Sequence, residues 1–261
     1  MLSKNIIKLV RSLEQKKHRL EQGLFVAEGS KVVGDLLRHG YKPAYIFATD
    51  EWKPSLTSPI THHSIPDRWS PTHSLSLITP SELQRISFLQ HPQQVLAVFA
   101  LPTPPPYVSQ DITLALDGIQ DPGNLGTIIR LADWFGIANI VCSPDTADAW
   151  NHKVVQATMG SIARVNIYYT NLPSFLAQSS LPVCGTVLDG DNIYTAQLPT
   201  EAILVMGNEG NGISQQVRSM LTHRLLIPPA PRANSSDSPE SLNVAIATAI
   251  ACSEFARRLN H

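Results

Sequence analysis

Three stretches of this 261-residue chain carry residue types that could do chemistry. The first, Asp117-Gly-Ile-Gln-Asp-Pro-Gly-Asn-Leu-Gly126, joins Asn124 to two glycines that permit close backbone approach, Gly123 and Gly126. A helix is expected over Gly126–Phe135, with Arg130 about one turn in, and its N-terminus favours an anionic group. The second, Met206-Gly-Asn-Glu-Gly-Asn-Gly212, sets three glycines in six positions after an apolar run and includes Glu209. Its spacing is GxxGxG rather than GxGxxG, and no GK[ST] follows, so a dinucleotide site is disfavoured. The third runs from Leu226-Ile-Pro-Pro to Ser241-Leu-Asn243, and its Ser241 and Asn243 would cap a closing helix. Each stretch alone reads as a turn or a cap.

Other chemistries find little support. The histidines at 62, 63, 73 and 91 lack metal-ligand spacing, and neither GxSxG nor HExxH occurs. Cys142, Cys184 and Cys252 are odd in number and far apart, which argues against a disulfide framework or a zinc site. What remains is a reaction needing neither metal nor catalytic triad.

The elements that must position these groups alternate. Apolar runs at Ile112–Leu116, Asn139–Cys142, Val165–Tyr169, Val183–Leu188, Ala202–Met206 and Arg224–Ile227 read as strands. Helical patterns intervene at Lys153–Met159, Pro173–Gln178 and Ser214–Thr222, and Ser241–Leu259 closes the chain. Such alternation predicts a mostly parallel sheet covered on both faces, with ligands beyond the carboxyl ends of its strands. Upstream, Leu101-Pro-Thr-Pro-Pro-Pro-Tyr107 is a stiff extended joint. It divides an α/β domain over 1–106 from a second domain over 107–261. In the first, Ile6, Ile7, Val10 and Leu13, then Val32, Val33, Leu36 and Leu37, fall at helical spacing. Ala44–Ala48 and Gln94–Ala100 read as strands, and no element is assigned from Lys53 to Pro80.

Composition narrows the class. With 43% hydrophobic and 16% charged residues the chain is not disordered. No run reaches the ~18 apolar residues of a membrane span, and the N-terminus lacks an uninterrupted apolar stretch, so a cytoplasmic protein is expected. The net charge of −1 conceals an asymmetry: residues 1–45 carry nine basic and four acidic side chains, a charge of +5 that leaves −6 for the rest. A basic module of this kind suits a polyanion, although a solvated helix face would read the same way.

Taken in order, the three stretches resemble the motifs of the SpoU/TrmH family of RNA ribose 2′-O-methyltransferases, of the SPOUT class. Asn124, Gly126 and Arg130 match the first motif, Leu204–Gly212 the second, and Ile227-Pro228 with Glu240-Ser-Leu-Asn-Val244 the third. Met159-Gly-Ser-Ile-Ala-Arg-Val165 is similar to a connecting segment of the family, and the likeness spans 112–257. Phe25-Val-Ala-Glu-Gly29 and Pro92–Val98 resemble parts of its substrate-binding domain. The loop between Ile227 and Leu242 is longer than is usual in the family.

The resemblance implies an α/β trefoil-knot domain, a homodimer and S-adenosylmethionine as cofactor. Carried over by position, Arg130, Asn124, Glu209, Ser241 and Asn243 would be catalytic. Met206, Gly207, Asn208, Gly210, Ile227, Pro228 and Leu242 would hold the cofactor, and Lys16, Lys17, Arg19 and Lys31 would meet RNA. The implied reaction is methylation of a ribose hydroxyl in rRNA or tRNA, without metal and away from membranes. Base methylation on the same fold, or a silent RNA-binding factor in ribosome assembly, are the alternatives.

Overall fold

A computed structural model of the chain describes residues 2–52, 75–109, 111–230 and 241–259. Contacts divide the chain into two units, one formed by Met1–Thr103 with Asp148–Arg164, the other by Pro104–Ala147 with Val165–His261. The chain thus crosses over inside the proline stretch. A cut at 106/107 does not anticipate the return of Asp148–Arg164 to the first unit.

The first unit runs α1 (Lys4–Ser12), α2 (Lys16–Gln22), β1 (Leu24–Glu28), α3 (Ser30–Arg38), β2 (Pro43–Ala48), β3 (Leu75–Leu77), α4 (Pro80–Ile86) and β4 (Val95–Ala100). Its sheet has the order β1-β4-β2-β3, with β4 antiparallel to both neighbours and β3 parallel to β2. Five of six β4 residues are buried, as a strand covered on both faces requires. Val10 and Leu13 from the first helical repeat join Val26, Phe47, Leu83, Ile86, Leu96 and Val98 in one core. On the returning segment, α6 (His152–Ala157) packs against β1, and Trp150 sits 4.8 Å from the Phe25 ring. α4 starts on a reciprocal cap: Thr79 accepts from the Glu82 amide, and the Glu82 carboxylate accepts from the Thr79 amide. β3 and Pro80 fall in the stretch left without an element; residues 53–74 of that stretch, including His62, His63 and His73, lie outside the described residues.

The second unit runs β5 (Ile112–Asp117), α5 (Pro122–Trp134), β6 (Asn139–Cys142), β7 (Asn166–Tyr169), α7 (Leu172–Ala177), β8 (Val183–Asn192), β9 (Ala202–Gly207), α8 (Gln215–Arg218), β10 (His223–Leu226) and α9 (Val244–Leu259). All pairings in its sheet are parallel, in the order β10-β8-β9-β5-β6-β7. β5 is buried at every residue, and β9 at all but Gly207. β5 and β9 lie side by side with Asp117 opposite Gly207. From there the chain leaves β5 toward β6 on one side, while β9 leads to β10 on the other. A crevice beyond these two carboxyl ends is where open parallel sheets bind ligands. The helix expected over Ser214–Thr222 is shorter, Gln215–Arg218, and α9 begins at Val244 rather than Ser241. Among the described residues no helix is long and apolar enough to cross a membrane, and no group of three His, Cys, Asp or Glu could hold a metal. All three cysteines are buried and unbridged, and burial raises their thiol pKa values.

Candidate active site

The first loop becomes helix sooner than its glycines suggest. Asp121 caps α5, accepting from the Asn124 amide at 2.7 Å, and Pro122 fills the first helical position with its φ already suited. Asn124 therefore sits in the first turn. Arg130 lies about two turns in, not one, at 3.6 residues per turn. It is exposed, with no ion-pair partner among the described residues. The Asp-Pro signal was present in the sequence and outranks the glycines as a helix start.

A chain of side-chain hydrogen bonds joins all three loops. Asn243 Nδ2 donates to Asn124 Oδ1 at 3.0 Å, and Asn124 Nδ2 donates to Glu209 Oε1 at 2.8 Å. Its polarity follows from its ends. An ionised carboxylate only accepts, so it draws the Asn124 amide nitrogen and turns the Asn124 carbonyl oxygen toward Asn243. Asn243 is left with its own oxygen, which accepts from the Ala245 and Ile246 amides at 2.9 and 3.3 Å and so starts α9. Asn243 thus caps a helix and orients Asn124 at once. Ser241 is exposed and outside this chain of bonds.

The second loop is rigid for a different reason. Asn208 and Gly212 exchange backbone hydrogen bonds, both at 2.9 Å. The Asn208 side chain donates to the Gly118 carbonyl at 2.7 Å and accepts from the Gly210 and Asn211 amides. A Cβ on Gly207 would collide with the backbone of Gly212 and Ile213, so no larger residue fits the closed loop. Asp117, absent from the sequence-derived site, accepts from the Ser214 amide at 2.7 Å and ties β5 to the far end of this loop. An aspartate closing an otherwise apolar strand was the available signal.

These bonds refine the cofactor set. The Asn208 side chain and the Gly210 amide are spent within the loop, which makes them loop builders. Met206 is 1% exposed with its sulfur against Thr186, so its side chain belongs to the core. Ile227 and Pro228 are half-buried after β10, and Leu242 is 50% exposed beside Asn243.

In the first unit, Lys16 and Lys17 are exposed, Lys17 lying 3.8 Å from Glu21. Lys31 is exposed and reaches Asp35 at 3.3 Å. Arg19 is a correction: it is 2% exposed and not available to RNA. Its guanidinium donates twice to Asp148 Oδ2, at 3.0 and 2.5 Å, and to the carbonyls of Leu13 and Glu14. Burial of an arginine demands such complete pairing, and nothing in the sequence links positions 19 and 148.

Comparison with known proteins bears on both units. Residues 111–253 match the SpoU rRNA Methylase family, and residues 4–97 match an MRM3-like substrate binding domain. The chain is similar to the 23S rRNA (guanosine(2553)-2'-O)-methyltransferase RlmP of Bacillus subtilis, 30% identical over 92% of this chain and 91% of the relative. Among solved structures it is similar to a chain from Porphyromonas gingivalis assigned to the TrmH family of RNA methyltransferases. That pair is 43% identical with a TM-score of 0.82, and 99% of each chain is covered. The AdoMet-bound rRNA methyltransferase of Sinorhizobium meliloti is 30% identical with a TM-score of 0.82, covering 99% of this chain and 97% of that one.

Proposed function

Because the chain belongs to the SpoU rRNA methylase family, we propose that it transfers a methyl group from S-adenosylmethionine to a ribose 2′-hydroxyl of rRNA. The observation that carries this reading is the bond chain Asn243–Asn124–Glu209, which draws three loops together at the crevice beyond β5 and β9. The residues present suit the cofactor. A closed glycine loop at Gly207–Gly212 offers backbone without side-chain obstruction, and Ile227 and Leu242 offer apolar surface for an adenosine. When bound, S-adenosylmethionine supplies an electrophilic sulfonium methyl and a neutral leaving group, so the chemistry needs no metal.

The chain's own residues then have defined tasks. Asn124, held at both ends of its amide, is a fixed polar group that orients the incoming ribose. Glu209 engages Asn124 through Oε1 and keeps Oε2 for a hydrogen bond from the hydroxyl. Arg130 is permanently charged and therefore a poor base. Its role is to stabilise the developing alkoxide or hold a neighbouring phosphate, the kind of aimed charge that lowers a barrier most. Gly207, Ile227, Pro228 and Leu242 line the cofactor, with Met206, Asn208 and Gly210 shaping its loop. Ser241, exposed two residues before Asn243, is assigned by this reading as a further contact.

The same reading gives the second unit a trefoil knot and makes the protein a cytoplasmic homodimer. Trp134 on α5 and Ile246 on α9, 83% and 52% exposed, support a partner surface on these two packed helices. RNA contacts fall to the first unit, with Lys16, Lys17 and Lys31.

The test is transfer of label from S-adenosylmethionine to rRNA and tRNA fractions from cells lacking the protein. Label in rRNA that disappears with Arg130→Ala supports the proposal. Label confined to tRNA would move the substrate, and cofactor binding with no transfer to any RNA would contradict turnover.

A further inference from the structure

We propose that a cleft in the first unit, between the start of α3, the end of β2 and the approach to β4, receives one unstacked base of the RNA and prefers a base that carries an amino group. The inference rests on the reading that the chain acts on RNA. It adds a site that distinguishes bases to a unit whose assigned lysines offer charge alone. The cleft has a volume of about 430 Å³, within the ~300–1,000 Å³ of small-molecule sites, which suits one nucleoside rather than a helix. Ser30, Glu51, Gln93 and Gln94 supply its polar groups, and Pro80 and Pro92 its apolar faces.

The backbone around the cleft is fixed. The Gly29 amide donates to the Val95 carbonyl and the Thr49 amide to the Gln94 carbonyl, both at 2.9 Å. The buried Glu28 carboxylate accepts from the Ser87 hydroxyl and the Phe88 amide, which holds the turn that leads to Pro92. Gly29, at φ +86°, has no Cβ to hold off the Gln93 amide, whose Oε1 lies 2.7 Å from where one would stand. The Gln93 side chain thus reaches the turn at which α3 starts without a side-chain cap. The polar side chains themselves are uncommitted. Those of Ser30, Glu51, Gln93 and Gln94 have no hydrogen bond or ion pair among the described residues. Unspent polar groups converging on a preformed concavity are what a ligand site offers.

Their chemistry selects the ligand. Among the described residues no lysine or arginine lines the cleft and one carboxylate does, so a phosphate is repelled. Each glutamine amide presents a donor beside an acceptor and can pair with a base edge through two bonds. Ionised Glu51 only accepts, so an exocyclic amino group of adenine, cytosine or guanine satisfies it, whereas the carbonyls of uracil do not. Single-stranded RNA offers such edges, because its bases are free of pairing and can be splayed out. The +5 carried by residues 1–45 attracts the strand to which the base belongs.

The experiment is binding of the full-length protein to a ten-nucleotide oligouridine and to the same strand with one central adenosine, cytidine or guanosine, over a range of salt concentrations. Wild type is expected to bind the three substituted strands about tenfold tighter than oligouridine, the size of one bidentate base contact. Gln93→Ala/Gln94→Ala should erase that preference and leave the slope of log affinity against log salt unchanged, since no phosphate contact is lost. With rRNA the double variant should keep kcat at saturation while KM rises. A wild type that binds the four strands equally, or none of them, overturns the proposal, as does a folded double variant that keeps the preference. If circular dichroism shows that the double variant does not fold, Glu51→Gln, an exposed change, must narrow the preference or the proposal fails. A wild type that shows the preference and transfers no methyl group to rRNA would overturn the methyltransferase reading and leave the base site standing, which separates the two failures.

Discussion

The two units hold their polar groups in opposite ways. In the second, Asn243, Asn124 and Glu209 form a chain of amides ending in one carboxylate, and its strength lies in direction. In the first, the buried Asp35 meets Lys31, Arg38 and Arg164, the partly buried Asp148 meets Arg19, and the strength lies in charge. Directional bonds suit a reaction that needs oxygen, carbon and sulfur in line, where a small displacement costs rate. Charge suits a polyanion whose contacts need number more than angle. The difference implies that damage to the second unit's network should appear in turnover, and damage to the first unit's clusters in affinity or stability.

The largest expected effect breaks a purely structural member of the first unit. Arg19→Ala strips Asp148 Oδ2 and two carbonyls of their guanidinium partner, leaving only the Trp150 amide on Asp148 Oδ1, at a cost of about 3–5 kcal/mol. Denaturant unfolding should record this loss. A variant as stable as wild type would mean that Arg19 is not the buried partner described above.

Next comes Asn124→Ala, which cuts both bonds of the amide chain. Removal of one aimed polar group typically lowers turnover by about 10²–10³, so kcat should fall by that order while rRNA affinity stays within about twofold. Equal falls in both would blur the contrast between the units. Arg130→Lys sharpens it further: the charge remains but the planar fork is gone, so an intermediate loss of turnover is expected, smaller than that of Arg130→Ala.

A smaller effect concerns acid. His152 stacks on Phe88 at 4.4 Å. Burial pushes its pKa below the usual histidine value, with Lys153, Arg19 and Arg11 adding to the shift and Glu14 opposing it. As pH falls, the unfolded chain takes up this proton first. Stability is therefore full above about 6.5, the unfolded value, and declines as pH drops from there toward the lower folded value. Unfolding midpoints at pH 8 and pH 5.5 should differ in that direction, and less so in His152→Gln. Greater stability at the lower pH would contradict the assignment. Smallest is Thr79→Ala, which removes one side of the α4 cap and should cost about 1 kcal/mol.

Much of the second unit was legible because short apolar strands and glycine-bearing ends are local signals. β5, β6 and β9 fall within a residue of the runs that announced them. Boundaries set by side-chain caps were harder. Asp121 begins α5 four residues before the glycine chosen as its start, and Asn243 delays α9 to Val244. The three motif residues of the bond chain were named in sequence, but their order in it was not, since that depends on contacts spanning 85 and 119 positions. The same limit hid Arg19. A lysine–arginine-rich helix reads as a solvated face until a carboxylate 129 residues away is brought against it.

The most direct measurement uses the chemistry of the proposed product. A 2′-O-methyl group removes the hydroxyl through which alkali cleaves RNA, so one bond in the backbone becomes resistant. rRNA from cells lacking the protein would be incubated with it and S-adenosylmethionine, then subjected to limited alkaline hydrolysis and sequenced. The account predicts a single gap in the ladder that Asn124→Ala abolishes. Methyl incorporation with an unbroken ladder would place the group on a base and contradict it.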